Sequence, residues 1–183
     1  MTTRLISTTT EPVTVAEAKT RLRIDGTDDD VDLGIMITAA REMCEQQTGR
    51  SIALATWELK LDAFPSREIE LLWPPIATVT HVKYIDAAGV LQTLDASAYT
   101  LDTHLEPGRV VPVFDTEWPT PRDTENAVTV RYTAGYGTSC PQALKQWILL
   151  QVGHWYRNRE AATDRQMVVT PFGDGLLDRY RVF

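Results

Sequence analysis

The sequence predicts an α+β protein with a short helix and two long helices, interrupted by an antiparallel β insertion. Two stretches, 14–50 and 140–160, repeat their apolar residues with a helical period, whereas 55–133 alternates apolar and polar residues. The remaining segments, 1–13 and 161–183, are expected to be an extended N-terminal arm and a C-terminal tail. A chain of 183 residues has room for one domain, and we predict that it forms a single domain.

The first helix is predicted to follow the threonine-rich arm. Thr14 and Glu17 have the spacing of a capping box, in which each side chain satisfies a backbone amide of the other residue. The helix is expected to run from Val15 to about Ile24 and to end at Asp25-Gly26.

The second helix is predicted from about Asp29 to Thr48. The sequence GTDDDVD places acidic residues at its N-terminus, where the helix dipole favours negative charge, and Gly49 ends it. One apolar face is expected on this helix, formed by Leu33, Met36, Ile37, Ala40, Met43 and Cys44.

The β insertion begins where Trp57, Leu59 and Leu61 alternate with charged residues. A hairpin is predicted around the turn Asp86–Gly89. The other expected strands are Ile69–Leu71, Tyr99–Leu101, Arg109–Val113 and Val128–Tyr132.

The long helix, from Cys140 to Glu160, is the most distinctive segment of the chain. Its apolar residues cover roughly 260° of the circumference, whereas one core needs only a little more than about 100°. Such a helix is either the centre of its own core or is covered on a second side by another copy of the chain. Trp155 is expected to be buried there.

The tail is predicted to contain β-compatible residues at Arg165–Thr170, a turn at Pro171–Gly175 and at most two helical turns at Leu176–Tyr180. Its apolar set is too short to fold alone, so we expect it to be mobile in the free protein and ordered on docking.

The composition of the chain argues against two classes of protein, those that span a membrane and those that bind nucleic acid tightly. Hydrophobic residues make up 43% of the chain, and no apolar run approaches the length that spans a bilayer. The net charge of −7 argues against tight nucleic-acid binding, which depends on neutralising phosphates. Cys44 and Cys140 are expected to pack as reduced apolar groups, in keeping with a reducing cytoplasm.

Sequence motifs of catalysis are absent. Asp28, Asp30 and Asp32 suggest a calcium loop, but the required glycine and glutamate positions hold Leu33 and Ala39. The histidines, His81, His104 and His154, have no partners at metal-ligand spacing. We therefore predict no enzymatic activity, no cofactor and no metal site.

Two alternatives remain open. The first is a small cytoplasmic enzyme with a pocket in the β region, where Asp102, His104 and Arg109 would converge. The second is a nucleic-acid-binding regulator, in which aromatic residues stack on bases and arginines contact phosphates. Its candidate residues are Trp147, Trp155, Tyr156, Arg157 and Arg159.

Several segments together resemble one family. In chain order they are EPVTVAEAKTRLRID, QQTGR, TWELKLDAFP, VTHVKYIDAAGVLQTLD, YTLDTHLEPGRVVP, AVTVRYTAGYG, PQALKQWILLQVGHWYRNRE and PFGDGLLDRYRVF. Their order and spacing resemble the head–tail connector, or adaptor, proteins of tailed bacteriophages and gene transfer agents.

The resemblance implies a helical connector fold and a homo-oligomeric ring of about twelve copies on the portal protein. A stopper or tail-completion protein would dock on the far side, and DNA would pass through the channel without specific binding. The protein would belong to the virion neck and be assembled in the bacterial host cytoplasm. No catalytic residue is implied. The long helix would be the packing helix and ring wall, through Leu144, Trp147, Ile148, Trp155 and Tyr156. Candidates for portal contact are Leu176, Leu177, Arg179, Tyr180, Arg181 and Phe183.

Overall fold

The computed structural model describes residues 1–158 and 175–182. Three helices are present in this part of the chain: α1 (Val15–Leu22), α2 (Asp30–Thr48) and α3 (Gln142–Arg157). The strands are β1 (Thr2–Thr10), β2 (Leu54–Leu61), β3 (Ile69–Leu71), β4 (Ile76–Ile85), β5 (Leu91–Thr93), β6 (Tyr99–Asp102), β7 (Gly108–Pro112) and β8 (Val128–Ala134).

The chain divides into two compact units. The β unit comprises Met1–Thr9 and Leu54–Gly135, and the helical unit comprises Thr10–Ala53 and Tyr136–Phe183. The prediction that the whole chain acts as a single connector domain stays a prediction.

The β unit contains two antiparallel sheets. The larger sheet has the order β1-β2-β8-β4-β5, and the smaller has the order β3-β7-β6. The alternating residues of β2 and β8 match in register, with Trp57 opposite Tyr132 and Leu59 opposite Val130. Apolar side chains of both sheets share one core, which includes Ile69, Leu71, Ile76, Val82, Val110, Val130 and Tyr132.

The predicted fold class, a helical connector interrupted by a β insertion, is wrong. We expected a helical fold with a β insertion and an extended arm, whereas the structure is rich in β-strands and the arm forms β1 beside β2. The arm sequence TTRLISTTT has no apolar–polar alternation, so no period could reveal the strand. Threonine favours extended backbone, and β2 supplies a neighbouring strand with which β1 can form backbone hydrogen bonds.

One carboxylate connects three strands of the larger sheet. Glu58 on β2 is buried and accepts hydrogen bonds from Arg131 on β8 at 2.5 Å and from Arg4 on β1 at 3.3 Å. The hydrogen bond from Arg131 holds the pKa of Glu58 below its ordinary value.

This lowered pKa predicts an acid-dependent stability. A carboxyl group with a lower pKa in the folded state stabilises the fold above its unfolded pKa, and the contribution is lost as pH falls through the folded pKa. We expect Glu58→Gln to lower the urea midpoint at pH 7, and the difference from the unmodified chain to shrink towards pH 3. Glu70→Gln is the control, because Glu70 is half exposed and its pairing with Arg109 is a surface contact. A gap for Glu58→Gln that stays constant with pH would contradict this role.

In the helical unit, the predicted capping box is confirmed at the start of α1. The Thr14 hydroxyl accepts a hydrogen bond from the Glu17 amide at 3.1 Å, and the Glu17 carboxylate accepts one from the Thr14 amide at 2.7 Å. The helix ends at Leu22, two residues earlier than predicted, because Arg23 adopts a left-handed conformation.

Helix α2 carries a buried ionic network. Arg41 is 3% exposed and donates to Glu45 at 2.6 Å and to Glu11 at 3.2 Å. The other oxygen of Glu45 accepts the backbone amides of Ile52 at 2.8 Å and Ala53 at 3.2 Å. The network therefore connects α2 both to the segment before α1 and to the chain that leaves the helical unit.

Candidate functional site

Helix α3 lies at the centre of the helical unit, where it packs against α1 and α2. Leu144, Trp147 and Ile148 are fully buried in a core shared with all three helices. Its exposed positions among the described residues are polar: Gln142, His154 and Arg157. The unit's own residues therefore cover much of the wide apolar surface that the sequence shows on this helix.

The C-terminal turn of α3 is less enclosed. Trp155, which we expected to be buried, is only partly buried against the core, and Trp147 is the enclosed tryptophan. The Tyr156 hydroxyl donates to the Asp29 carboxylate at 2.6 Å. Arg159 and Glu160, the last residues of the predicted helix, lie outside the described residues, as does the predicted tail from 161 to 174.

The described C-terminal segment, residues 175–182, packs on its own helical unit. Leu177 is completely buried in the core of that unit, and Leu176 and Tyr180 are partly buried against it. The Val182 amide donates to the Thr48 carbonyl at 2.9 Å, at the end of α2. This part of the tail is therefore held in place in the isolated chain, which differs from the expectation that the tail is mobile.

The packing divides the portal-contact candidates into two groups. Leu177 is an internal anchor, whereas Arg179 and Arg181 are exposed. Arg181 lies 3.6 Å from the carboxylate of Asp178. Phe183 lies outside the described residues. The segment thus presents guanidinium groups on the surface while an apolar side chain fixes its backbone.

The residues of the alternative enzyme site do not form an acid–base pair. The Asp102 carboxylate accepts the backbone amide of His104 at 2.9 Å, which is a turn contact and leaves the imidazole out of the bond. Arg109 is paired instead with Glu68 at 3.0 Å and with Glu70 at 3.4 Å. The described contacts of these three side chains are those of a loop and a sheet surface.

Both cysteines are free and buried in the helical core. Burial raises the pKa of the Cys44 thiol to about 12 and that of the Cys140 thiol to about 11. Both thiols therefore stay protonated at neutral pH, and a protonated thiol is a poor nucleophile.

Within residues 1–158 and 175–182, no three His, Cys, Asp or Glu side chains are grouped so that they could hold a metal ion. The described helices also include none with the length and apolar character needed to cross a membrane.

Sequence reasoning missed one surface. Val31 and Ile35 on α2 are highly exposed, on the side of the helix opposite Leu33 and Ile37. The signal was present as apolar residues four apart, offset from the predicted apolar face, but the stronger pattern of that face obscured it.

The chain is similar to known particle proteins. Residues 11–168 match the family model described as head completion protein. No curated protein sequence matches the chain significantly.

Three solved structures share its fold over nearly their whole length. They are a chain in the neck of an empty GTA particle computed with C6 symmetry, one in the virion of a native gene transfer agent (GTA) particle, and one in the neck of a native GTA particle computed with C12 symmetry. Their TM-scores are 0.83, 0.81 and 0.80, with sequence identities of 25%, 25% and 26%. Each comparison covers 100% of this chain and 96% of the other chain.

Proposed function

Because the chain belongs to the head completion protein family, we propose that it is the structural adaptor that joins the portal to the tail of a phage or phage-like particle. It forms a ring of about twelve copies in the neck of the virion. The portal protein lies on one side of the ring and a stopper or tail-completion protein on the other.

One observation carries this proposal: the likeness to neck proteins extends over the complete chain. The match includes both the β unit and the helical unit, since all of this chain is covered at a TM-score of 0.83. The necks of those particles were computed with C6 and C12 symmetry, which supports a cyclic assembly of about twelve copies.

Helix α3 acts in this assembly as the packing helix that keeps each subunit rigid. Leu144, Trp147 and Ile148 form its inner face, while the partly buried Trp155 and Tyr156 lie near the end of the helix. A rigid packing helix suits a ring subunit, because the channel through which DNA passes must keep its shape.

The C-terminal segment is proposed to contact the portal. Leu177 fixes the segment to the helical unit, and Arg179 and Arg181 lie exposed beside it. Guanidinium groups on a fixed backbone suit an acidic rim, because little backbone freedom remains to be lost on docking. Phe183 is a further candidate for this portal contact.

The acidic composition suits a channel for DNA. A net charge of −7 repels phosphates, so the genome can slide past without being held. The protein acts by assembly and positioning, and its family and structural neighbours are structural proteins of particles.

Removing the chain from a particle-producing strain tests the proposal. We expect filled or closed heads and free tails to accumulate separately, and a copy of the gene supplied in trans to restore joined particles. Normal numbers of tailed particles without this chain would contradict the proposal.

A charge-reversal variant tests the portal contact. Arg179→Glu combined with Arg181→Glu is expected to leave the circular dichroism and melting temperature of the isolated chain nearly unchanged, because both side chains are exposed. Retention of the chain on purified portal-bearing heads is expected to fall at least tenfold, since several exposed contacts change sign together.

The control for this variant is Arg21→Glu with Arg23→Glu, which reverses two exposed charges at the end of α1. Equal losses for both pairs would mean that net charge alone, and no specific surface, controls docking. Normal retention of the Arg179/Arg181 variant would exclude these residues from the portal contact.

A further inference from the structure

Helix α2 has two apolar faces, and only one is covered by its own subunit. The inner face packs Leu33, Ile37 and Cys44 into the core of the helical unit. On the outer side Val31 is 78% exposed and Ile35 is 63% exposed. Ala39 continues the same side along the helix, and so does Met43, which we expected on the inner face but which is 39% exposed. The exposed stripe is therefore roughly 18 Å long at 1.5 Å per residue.

This stripe distinguishes α2 from the other helices of the described chain. The exposed positions of α3 are polar, and those of α1 are Ala16 and polar or charged residues. Scattered exposed apolar residues need no explanation, but a row of them at helical spacing marks a contact surface. An apolar row that persists on a folded acidic protein indicates an interaction partner.

Two of the carboxylates that border the stripe have cationic neighbours in the same chain. Glu42 lies on the exposed side, and its carboxylate is 3.3 Å from the guanidinium of Arg41. Near the start of the helix, Asp30 is paired with Lys19 at 2.8 Å. These contacts lower the negative charge around Val31 and Ile35, although Arg41 also pairs with Glu11 and Glu45, and Asp32 stays exposed beside the stripe.

We propose that this outer face of α2 is the surface by which one copy of the chain contacts the next copy in the ring. The inference rests on the proposed function. Every subunit of a closed ring needs two lateral patches, one for each neighbour, and the two patches are different surfaces. Between copies that each carry a net charge of −7, an apolar patch is a favourable place of contact because it adds no charge repulsion of its own.

The opposing patch lies elsewhere on the neighbouring copy. Five other large apolar side chains in the described part are at least half exposed: Met1, Val90, Leu91, Leu105 and Phe114. Phe114 is nearly fully exposed on a turn closed by the Thr116 amide, which donates to the Val113 carbonyl at 3.1 Å. An exposed aromatic side chain on an ordered turn suits insertion between the side chains of a helix.

The first test is a double variant, Val31→Glu with Ile35→Glu. Both side chains are exposed, so the isolated variant is expected to unfold at the same temperature as the unmodified chain. Its occupancy in purified particle necks, measured by quantitative mass spectrometry against the major capsid protein, is expected to fall at least tenfold. The matched control is Ala16→Glu with Thr20→Glu, which places the same two charges four residues apart on exposed positions of α1 and is expected to leave occupancy unchanged. Normal occupancy of the Val31/Ile35 variant would overturn the proposal.

The second test identifies the partner. A benzophenone amino acid at position 35 is introduced into the full chain, and particles are irradiated after assembly. The expected product has the mass of two copies of this chain, with position 35 joined to a peptide from a different surface. The same probe at His154 on α3 is the control and is expected to give no such product.

Each of the other possible results of the crosslinking experiment would contradict either the lateral contact or the proposed function. A product with the portal or a tail protein would overturn the lateral contact while leaving the adaptor function intact. A product that joins position 35 to position 35 would indicate a two-fold dimer, which contradicts a ring contact. Absence of any product in particles that contain the probe at normal occupancy would also overturn the proposal. Absence of the unmodified chain from the particles would refute the proposed function itself.

Discussion

Replacing Trp147 with alanine is expected to lower the free energy of unfolding of the helical unit by about 3–5 kcal/mol. Trp147 is among the largest fully buried side chains of the described chain, and it lies where α3 meets the shared core. Truncation to alanine would leave a cavity that the surrounding helices cannot close without moving. Urea unfolding followed by the helical circular dichroism signal measures this loss.

Trp147→Phe is the matched control. The Trp147 indole nitrogen is buried and has no hydrogen-bond partner in the described part of the chain. A buried donor without an acceptor costs about 1–3 kcal/mol, and phenylalanine removes that donor while keeping an aromatic ring. We therefore expect Trp147→Phe to cost less than about 2 kcal/mol. Equal losses for the alanine and phenylalanine variants would contradict the cavity as the cause.

The second large effect is expected for Glu45→Ala. One carboxylate oxygen accepts the backbone amides of Ile52 and Ala53, and the other accepts the guanidinium of Arg41. Removal leaves two buried amides without their acceptor, each costing about 1–3 kcal/mol, and weakens a buried ion pair. We expect a loss of about 3–5 kcal/mol in the free energy of unfolding, measured with urea at neutral pH.

Glu42→Ala separates this effect from ordinary ion pairing. Glu42 also contacts Arg41, at 3.3 Å, but its side chain is 62% exposed and it has no backbone amide to accept in the described network. Exposed ion pairs typically contribute up to about 1 kcal/mol, so this variant is expected to unfold nearly as the unmodified chain does. If the two variants lose equal stability, the buried amides are not the source of the Glu45 effect.

Local signals in the sequence predicted the local structure correctly. The capping box at Thr14 and Glu17 is confirmed, and so is the hairpin between β4 and β5. In that turn the Asp86 carboxylate accepts the Val90 amide at 2.9 Å. These features depend on residues within five positions of each other, so their chemistry can be seen in a short stretch of sequence.

Features that depend on distant residues were not predictable in this way. Strand β1 forms because β2, more than forty residues later, provides its neighbour in the sheet. The wide apolar surface of α3 left open whether its own unit or another copy of the chain covers it. The sequence shows which residues are apolar, but only the fold shows that α1, α2 and Leu177 cover α3 while Val31 and Ile35 stay exposed.

The family model and the resemblance seen in the sequence identify the same class of protein. The family model matches residues 11–168, and the resemblance that the sequence shows to head–tail connectors leads to the same family. The individual contact residues, by contrast, depend on surfaces that meet only in the assembled particle. The assignments of Arg179 and Arg181 to the portal and of α2 to the neighbouring copy are therefore proposals with separate tests.

The central claim is that copies of this chain form a ring in the neck, between the portal and the tail. Electron cryomicroscopy of purified particles, with the neck reconstructed without imposed symmetry, tests it most directly. The account predicts a closed ring of about twelve subunits below the portal, each with density for both the β unit and the helical unit. A neck reconstruction in which no ring fits this chain, in particles that contain the chain, would contradict the account.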